Sequence, residues 1–257
     1  MLADSYRTRG ATFAFLIGPP RSLTRQDGTR IHSAVCDALG ADDIAFQFQA
    51  SEHTPGGGKG FSIHLQRQED RENMVVEIGS SAQNAPIRLL FRYDWPASNQ
   101  LVFDDFDLAS EAVLSSLGEG WQRVLAEARV QGQIDVATAS AVSFLSSGLF
   151  RFSSRADGAQ DDLSFLGFKY ETSPGDFAEE DQLANPKRDV SVEVLREDPR
   201  CLYLEVMSQW PQLSVSPDGT VELSPGRIRA FRSPPSEYLR DTINYVDAVV
   251  LPLLRRA

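Results

Sequence analysis

The chain has 257 residues, of which 42% are apolar and 24% are charged. These fractions lie close to the averages of soluble globular proteins, so the chain can build a packed core and is not a disordered segment. Its 25 Lys and Arg residues against 36 Asp and Glu residues give a net charge of -11, which repels a phosphate backbone. We therefore expect no nucleic-acid partner.

The two cysteines, Cys36 and Cys201, are too few for a disulfide framework or for a zinc site made of four thiolates. Their number fits a reducing compartment, and we expect a cytoplasmic protein. No stretch approaches the roughly 20 apolar residues that span a bilayer, so we expect no membrane partner. The apolar run 11–17 is short and alternates, which indicates a strand and not a signal peptide.

The two halves of the chain resemble one another in sequence. The matching pairs, which occur in the same order in both halves, are 33–35 with 140–142, 43–46 with 162–165, 54–56 with 173–175, 62–67 with 191–196, 76–80 with 204–208, and 87–92 with 228–232. Each match is weak alone, and chance similarity between amphipathic strands is the alternative, but their common order favours an internal duplication. The sequence thus predicts a first α+β repeat at 1–133, with an extra N-terminal strand, and a second at 134–257.

Periodicity predicts the elements of the first repeat. Apolar residues at helical spacing predict a helix over 24–39, which Gly40 ends. Alternating apolar residues predict strands near 44–48, 61–65, 74–78 and 87–95, the last with Arg88 and Arg92 on its polar face. An apolar stripe then predicts a helix over about 108–130, preceded by acidic residues that suit a helix N-terminus.

The second repeat follows the same plan. We predict a helix over 137–145, strands near 163–171, 190–196, 201–208 and 227–232, and a closing helix over 235–255 in which Pro252 kinks or frays the last turn. The acidic segment 176–188 is predicted to be an exposed loop. The predicted fold class is α+β: a tandem duplication of a helix, four-stranded antiparallel sheet and helix unit that forms an internal pseudo-dimer.

The glycine-rich segment 55–60 resembles a phosphate-binding loop but fails its pattern. His53 stands where the first glycine is required, and Gly60 follows Lys59 where Ser or Thr is required. The segment also joins two predicted strands and so offers no helix N-terminus to an anion. We interpret it as a flexible hairpin tip, with Lys59 as a candidate contact residue.

No set of residues forms a recognisable catalytic or metal-binding motif. His32 and Cys36 share one face of the first helix, where a base and a nucleophile or two metal ligands could meet, but two ligands are too few for zinc. The acidic clusters at 104–107 and 179–181 lack the spacing of a calcium loop. We therefore predict no catalytic residues, no metal and no cofactor.

The paired arginines are the main candidates for binding. Arg88 and Arg92, and Arg229 and Arg232 in the second half, precede the predicted closing helices and could contribute to an anion-binding face. The alternative is ordinary polar alternation on the wet face of a sheet. Two aromatic residues, Trp95 and Trp210, complete the candidate set, with burial in the core as their alternative.

These observations predict a non-catalytic protein that binds a protein partner, in an adaptor, chaperone-like or immunity-like role. The acidic charge favours a basic partner. The competing hypothesis is a small-molecule-binding protein or an enzyme, with a pocket between the sheet and the closing helix lined by Phe91, Tyr93, Trp95 or Trp210. The sequence names no ligand, pathway or oligomeric state.

Overall fold

A single antiparallel sheet organises the protein. The computed structural model describes residues 2–19, 22–41, 46–53, 60–69, 72–80, 86–120, 122–136, 140–148, 167–172, 186–210, 214–215, 221–222 and 233–255. In these residues the strands are β1 (Leu2–Gly18), β2 (Gln47–His53), β3 (Gly60–Glu69), β4 (Glu72–Ser80), β5 (Ile87–Asp94), β6 (Gln122–Val136), β7 (Gly167–Thr172), β8 (Lys187–Val194), β9 (Cys201–Trp210), β10 (Ser214–Val215) and β11 (Val221–Glu222). Strands β10 and β11 pair separately, and the others form nine strands in the order β2-β3-β4-β5-β1-β6-β9-β8-β7.

The centre of the sheet is the pair β1 and β6, the two longest strands. They run antiparallel from the Gly18 and Gln122 end to the Leu2 and Val136 end. Outward from β1 the strands are β5, β4, β3 and β2, and outward from β6 they are β9, β8 and β7. The next strand in sequence after each central strand, β2 after β1 and β7 after β6, therefore lies at an edge, and the later strands return toward the centre.

The helices pack on one face of the sheet. They are α1 (Arg25–Ala38), α2 (Asn99–Leu117), α3 (Ala141–Gly148), α4 (Pro235–Tyr245), a π-helical segment (Val246–Val250) and α5 (Leu251–Arg255). Thr24 caps α1 in a reciprocal capping box with Asp27, and Ser98 caps α2. The predicted closing helix is present, with the π-helical segment directly before Pro252, where the ring removes a backbone donor.

Two clusters of buried side chains fill the space between helices and sheet. The larger joins β1, β3, β4 and β5 to α1, α2 and the start of α4. The smaller joins the Val136 end of β6 and strands β8 and β9 to α3 and to the residues after Tyr245. Tyr6 packs against both clusters. The predicted α+β class with antiparallel strands is thus confirmed, and in place of two four-stranded sheets, nine of the described strands form one sheet.

The predicted helix over 108–130 is wrong. Helix α2 ends at Leu117, and β6 occupies Gln122–Val136. Gly118 and Gly120 have φ values of 90° and 89°, which a helix does not allow, so the chain leaves the helix there. Beyond them, buried residues recur at every second position, Ala126, Ala128 and Val130 among them, which is the period of a strand. Apolar residues of β6 happen to continue the helical spacing of those in α2, and this coincidence produced the wrong prediction.

This error concealed the strand that joins the two halves. Because β6 pairs with both β1 and β9, the sheet is continuous across the chain. In the second half, strands β7, β8 and β9 lie at the predicted positions, whereas 227–232 lies outside the described residues. The predicted boundary between 133 and 134 falls within β6 and stays a prediction. Within the described part of the chain, none of the helices combines the length and apolar character needed to cross a membrane.

Candidate functional site

In the described part of the chain, no helix covers the second face of the sheet, and the exposed side chains on it are mostly polar. On β5, for example, Leu89 and Phe91 face the helices and are fully buried, whereas Arg88 and Arg92 point the other way and are exposed. Alternate residues of the neighbouring strands share this side by register, as Glu77 of β4 and Glu127 of β6 do. We call this side the open face.

A β-bulge interrupts the centre of the open face. Thr8 pairs with Gly132 and Gly10 pairs with the next residue, Gln131, so β1 holds one extra residue, Arg9. A bulge of this kind turns the extra side chain out of the regular alternation. Arg9 and Gly10 therefore both lie on the open face. In a regular strand, two consecutive residues would point to opposite faces.

Trp95 lies next to the bulge, just after β5, in a conformation that non-glycine residues rarely adopt. Its φ is 57°, its backbone N–H donates to the carbonyl oxygen of Arg9 at 2.7 Å, and its side chain is 50% exposed. The guanidinium carbon of Arg9 lies 4.2 Å from the centre of the Trp95 ring, and an Nη of Arg9 is 3.5 Å from a carboxylate oxygen of Glu197. Strain of this kind persists where surrounding contacts fix the backbone, and such places are often functional.

Arg9 and Trp95 form part of the wall of an open concavity of about 420 Å³. Its other lining residues are Gln66, Asn73, Asp94, Gln131 and Tyr203. These residues come from five strands, β3, β4, β5, β6 and β9, and the bulge of β1 lies among them. We call this site the central hollow. Its lining is polar and aromatic, and it lies on the middle strands of the sheet.

One side of the central hollow is a chain of hydrogen bonds that ends on a carboxylate. The side-chain amide of Gln66 donates to Asn73 Oδ1 at 3.0 Å, and Asn73 Nδ2 donates to Asp94 Oδ2 at 3.0 Å. Arg92 Nε lies 3.4 Å from the same Asp94 oxygen. These contacts fix the orientation of all three polar side chains that line this wall.

The opposite side is organised by Glu205, on β9. Its Oε2 accepts from Gln131 Nε2 at 2.7 Å and from the Tyr203 hydroxyl at 3.0 Å. Burial and the nearby Glu205 carboxylate raise the pKa of Tyr203 well above its usual range. The phenol therefore stays protonated and remains a donor to Glu205 at any physiological pH.

Of the predicted binding residues, three lie on or beside the open face and one lies in the core. Arg88, Arg92 and Trp95 lie on or beside the open face, and Trp95 lines the central hollow. Trp210 is wholly buried and stacks edge-on against Tyr238 with ring centroids 5.1 Å apart, so we correct its assignment from binding residue to core residue. The other three predicted binding residues, Lys59, Arg229 and Arg232, lie outside the described residues.

Most of the residues of the central hollow were missed by sequence analysis. Asp94 was expected on the polar side of its strand, but nothing in the sequence joins it to Gln131 or Tyr203, which are distant along the chain. The signal that could have located the site is the pair Arg9 and Gly10. It breaks the alternation of an otherwise regular strand, as a bulge does.

The acidic cluster 104–107 has a structural role different from the predicted one. Helix α2 begins at Asn99, so these carboxylates lie within it and not at its N-terminus. An Nη of Arg67 lies 3.0 Å from Asp105 Oδ2, and Asp107 accepts from the backbone N–H and hydroxyl of Ser236 at 2.9 and 2.6 Å. They tie α2 to β3 and to α4.

The two cysteines show no sign of activation. Cys36 Sγ lies 3.6 Å from His32 Nε2, which is also 3.2 Å from the Phe46 carbonyl oxygen. Burial and a hydrogen bond to Asp135 raise the pKa of Cys201 to about 11, so its thiol is not a nucleophile at neutral pH. Among the described residues, no three His, Cys, Asp or Glu side chains are placed to hold a metal ion.

Comparisons with known proteins add little to this description. No model of a protein family matches the chain, and no curated protein matches it. Among solved structures, the chain is similar to the Trypanosoma brucei AdoMetDC-delta26 monomer, with a TM-score of 0.29 and 10% identity. The match covers 79% of this chain and 66% of that one, just under two thirds of its length. A likeness at this level carries no argument about function.

Proposed function

We propose that this protein is a non-catalytic binding protein that holds a basic protein partner on the open face of its sheet. The observation that carries the proposal is the open face itself: helices cover one side of the sheet, and the other presents a polar surface around the half-exposed Trp95. Exposed aromatic and arginine side chains are typical anchors of protein interfaces. The net charge of -11 favours association with a basic partner.

The competing function, a ligand pocket between the sheet and the closing helix, has little support. Phe91, Tyr93, Trp210 and Tyr238 are each at most 1% exposed, and side chains fill that space among the described residues. A small molecule could instead occupy the central hollow, whose volume of about 420 Å³ lies within the usual range for ligand sites. The hollow lacks the mostly apolar walls of such sites, so this function ranks second.

The finer prediction of the fold, an internal duplication that forms a pseudo-dimer, is also a proposal. The matched segments 62–67 and 76–80 lie in β3 and β4, and their counterparts 191–196 and 204–208 lie in or overlap β8 and β9. In addition, each of the two central strands, β1 and β6, is followed in sequence by a helix, α1 and α3. In the nine-stranded sheet β9 pairs directly with β6, so the place of β5 between β4 and β1 has no counterpart there.

Superposition in an experimental structure tests the duplication. We expect that superposing β3 and β4 on β8 and β9 also brings α1 onto α3, because related halves keep helix and sheet in the same arrangement. If α3 instead lies elsewhere on its strands, the sequence matches are coincidental. We further propose a reducing, cytoplasmic location, which the small number of cysteines, two in the whole sequence, supports.

Charge reversal on the open face tests the proposed function. Glu77 lies on this face, 43% of its side chain is exposed, and its carboxylate is 3.4 Å from His64. We expect Glu77→Lys to weaken binding of a basic partner roughly threefold to tenfold at low salt, with the difference falling as salt rises. Partners are captured from the source organism with the whole protein, identified, and then titrated in purified form.

The matched control is Glu111→Lys, the same charge change at an exposed residue of α2 on the helix side. We expect the control to bind as the unchanged protein does. Equal weakening by both variants would indicate a general charge effect and would count against the open face. Repeated capture without a stoichiometric partner would contradict the proposed function itself.

A further inference from the structure

One row of residues crosses the middle of the open face and has a gap at its centre. The strand registers place Asn73, Asp94, Gly10, Gln131 and Glu205 side by side on β4, β5, β1, β6 and β9. Adjacent strands lie about 4.8 Å apart, so the residues on either side of the glycine are separated by about 10 Å at the backbone. Gly10, which has no side chain, lies between the lining residues Asp94 and Gln131, and we call its backbone the floor of the central hollow.

Two acceptor oxygens converge above this floor. A Cβ atom added at Gly10 would lie 2.9 Å from Gln131 Oε1 and 3.9 Å from Asp94 Oδ1. The first distance is too short for a side chain to be added without displacing Gln131. The glycine therefore lets Gln131 Oε1 lie close over the backbone of β1, where this amide oxygen and the Asp94 carboxylate oxygen are both near the same point.

The directions of the hydrogen bonds on the Asp94 side leave the amide oxygen of Gln66 available as an acceptor. A carboxylate can only accept, so Asn73 must present its NH₂ to Asp94 and its oxygen to Gln66. Gln66 must then donate through its NH₂ group, so its own amide oxygen takes no part in this chain of hydrogen bonds. The Asp94 carboxylate accepts only, so it determines which end of the Asn73 amide is the nitrogen. Asn73 then determines the same for Gln66.

The Glu205 side follows the same rule. Gln131 and Tyr203 both donate to Glu205 Oε2, so the oxygen of Gln131 is the group left free to face Gly10. Among the described residues Glu205 accepts from these two neutral donors and forms no ion pair. The hollow thus offers amide and carboxylate oxygens, and the Glu205 carboxylate lies behind its lining residues Gln131 and Tyr203.

The one cation in the lining, Arg9, is already engaged. Its guanidinium stacks on Trp95 and lies 3.5 Å from Glu197 Oε2, and only 17% of its side chain is exposed. Trp95 shows how this wall accommodates a guanidinium, since planar cations stack favourably on indole rings. A ligand entering the hollow meets acceptors at the floor and an aromatic ring at the rim.

We propose that the central hollow takes the guanidinium group of an arginine side chain of the protein partner. This inference rests on the proposed function and names the chemistry that the open face recognises. A guanidinium offers five donors in one plane, enough to bridge Asp94 and Gln131 above Gly10 and to reach the second wall. A lysine ammonium has three donors on a compact group and suits two separated sets of acceptors less well.

Amides of single amino acids test this inference without the partner. We would titrate the purified, ¹⁵N-labelled protein with acetyl-arginine amide, acetyl-lysine amide, acetyl-citrulline amide and acetyl-glutamate amide, and follow the side-chain signals of Gln131 and Trp95 by NMR. We expect saturable shifts with the arginine compound, weaker binding of lysine, and no saturation with citrulline, which has the same shape without the charge. Saturation with glutamate and not with arginine would overturn the inference in favour of an anion site at Arg9.

Two variants locate the binding in the hollow. Glu205→Gln removes the unpaired charge and is expected to weaken binding of acetyl-arginine amide about tenfold, because hydrogen bonds to charged groups are the stronger class. Gly10→Ala places a methyl group on the floor and is expected to abolish binding. The matched control, Glu111→Gln on the helix side, should bind as before. Thermal unfolding of each variant shows that the fold is retained, and unchanged binding by both hollow variants would overturn the inference.

The two proposals can fail separately. If Glu77→Lys weakens a purified partner but Glu205→Gln does not, and acetyl-arginine amide does not bind, the arginine site is wrong and the open face remains the binding surface. If acetyl-arginine amide binds in the hollow and no protein partner exists, the proposed function is wrong, and the same site serves a small guanidinium compound.

Discussion

We expect Trp210→Ala to lower the free energy of unfolding by about 3–5 kcal/mol, the usual loss when a large buried aromatic residue is truncated. The Trp210 side chain is wholly buried at the end of β9 and meets Tyr238 of α4 edge-on. Tyr238 in turn lies 5.4 Å from Phe13 of β1, between ring centroids. Trp210 therefore helps fix α4 to the centre of the sheet, and its removal leaves a cavity at that junction.

Urea unfolding of the variant measures this loss, and the matched control is Trp95→Ala. Trp95 is half exposed, and its stacking with Arg9 is worth about 1 kcal/mol or less. We expect the two variants to differ by at least 2 kcal/mol. Similar losses would contradict the assignment of Trp210 to the core. A conservative Trp210→Phe variant should keep partner binding, since the residue has no exposed surface.

The second large effect is expected at Gly132, opposite Thr8 on β6. A Cβ atom there would lie 2.6 Å from Cζ and 2.7 Å from the hydroxyl oxygen of Tyr6, and would also collide with the ring edge. Tyr6 packs against both hydrophobic clusters and cannot move without disturbing them. We expect Gly132→Ala to lower the free energy of unfolding by about 1–3 kcal/mol, the usual effect of overpacking.

A double-mutant cycle isolates this contact. In a Tyr6→Ala background, the ring that collides with residue 132 is absent, so Gly132→Ala should cost nothing or stabilise slightly through the lower entropy of the unfolded chain. The measured quantity is the coupling energy between the two substitutions from urea unfolding. Additive effects would show that the glycine is required for another reason, and the account of the central pair β1 and β6 would need revision.

Local patterns predicted the strands of the sheet well, because each strand has one buried and one open side. Alternation in 87–95 located β5, and helical spacing with Gly40 at its end located α1. The same reasoning failed at 108–130, where seven apolar residues at helical spacing outweighed Gly118 and Gly120. Residues 122–136 form a strand because they pair with β1. The paired residues are more than a hundred positions apart in the sequence.

The candidate binding residues likewise include some that the sequence could identify and others that it could not. The sequence identified Arg92 and Trp95 because they stand out on one strand. It could not identify the row from Asp94 to Glu205, since the row exists only through the register of strands that are far apart in sequence. Arg9 was missed for a related reason. Its direction depends on a bulge, and a bulge is defined by the partner strand.

Hydroxyl-radical footprinting of the protein with its purified partner tests the central claim most directly. Trp95 is on the rim of the central hollow and Met207 lies on the open side of β9, whereas Leu108 and Leu253 are exposed on the helix side. We predict that the partner lowers the oxidation rates of Trp95 and Met207 and leaves Leu108 and Leu253 unchanged. Protection of the two leucines, with Trp95 and Met207 as reactive as in the free protein, would show that the partner binds the helices and would contradict the account.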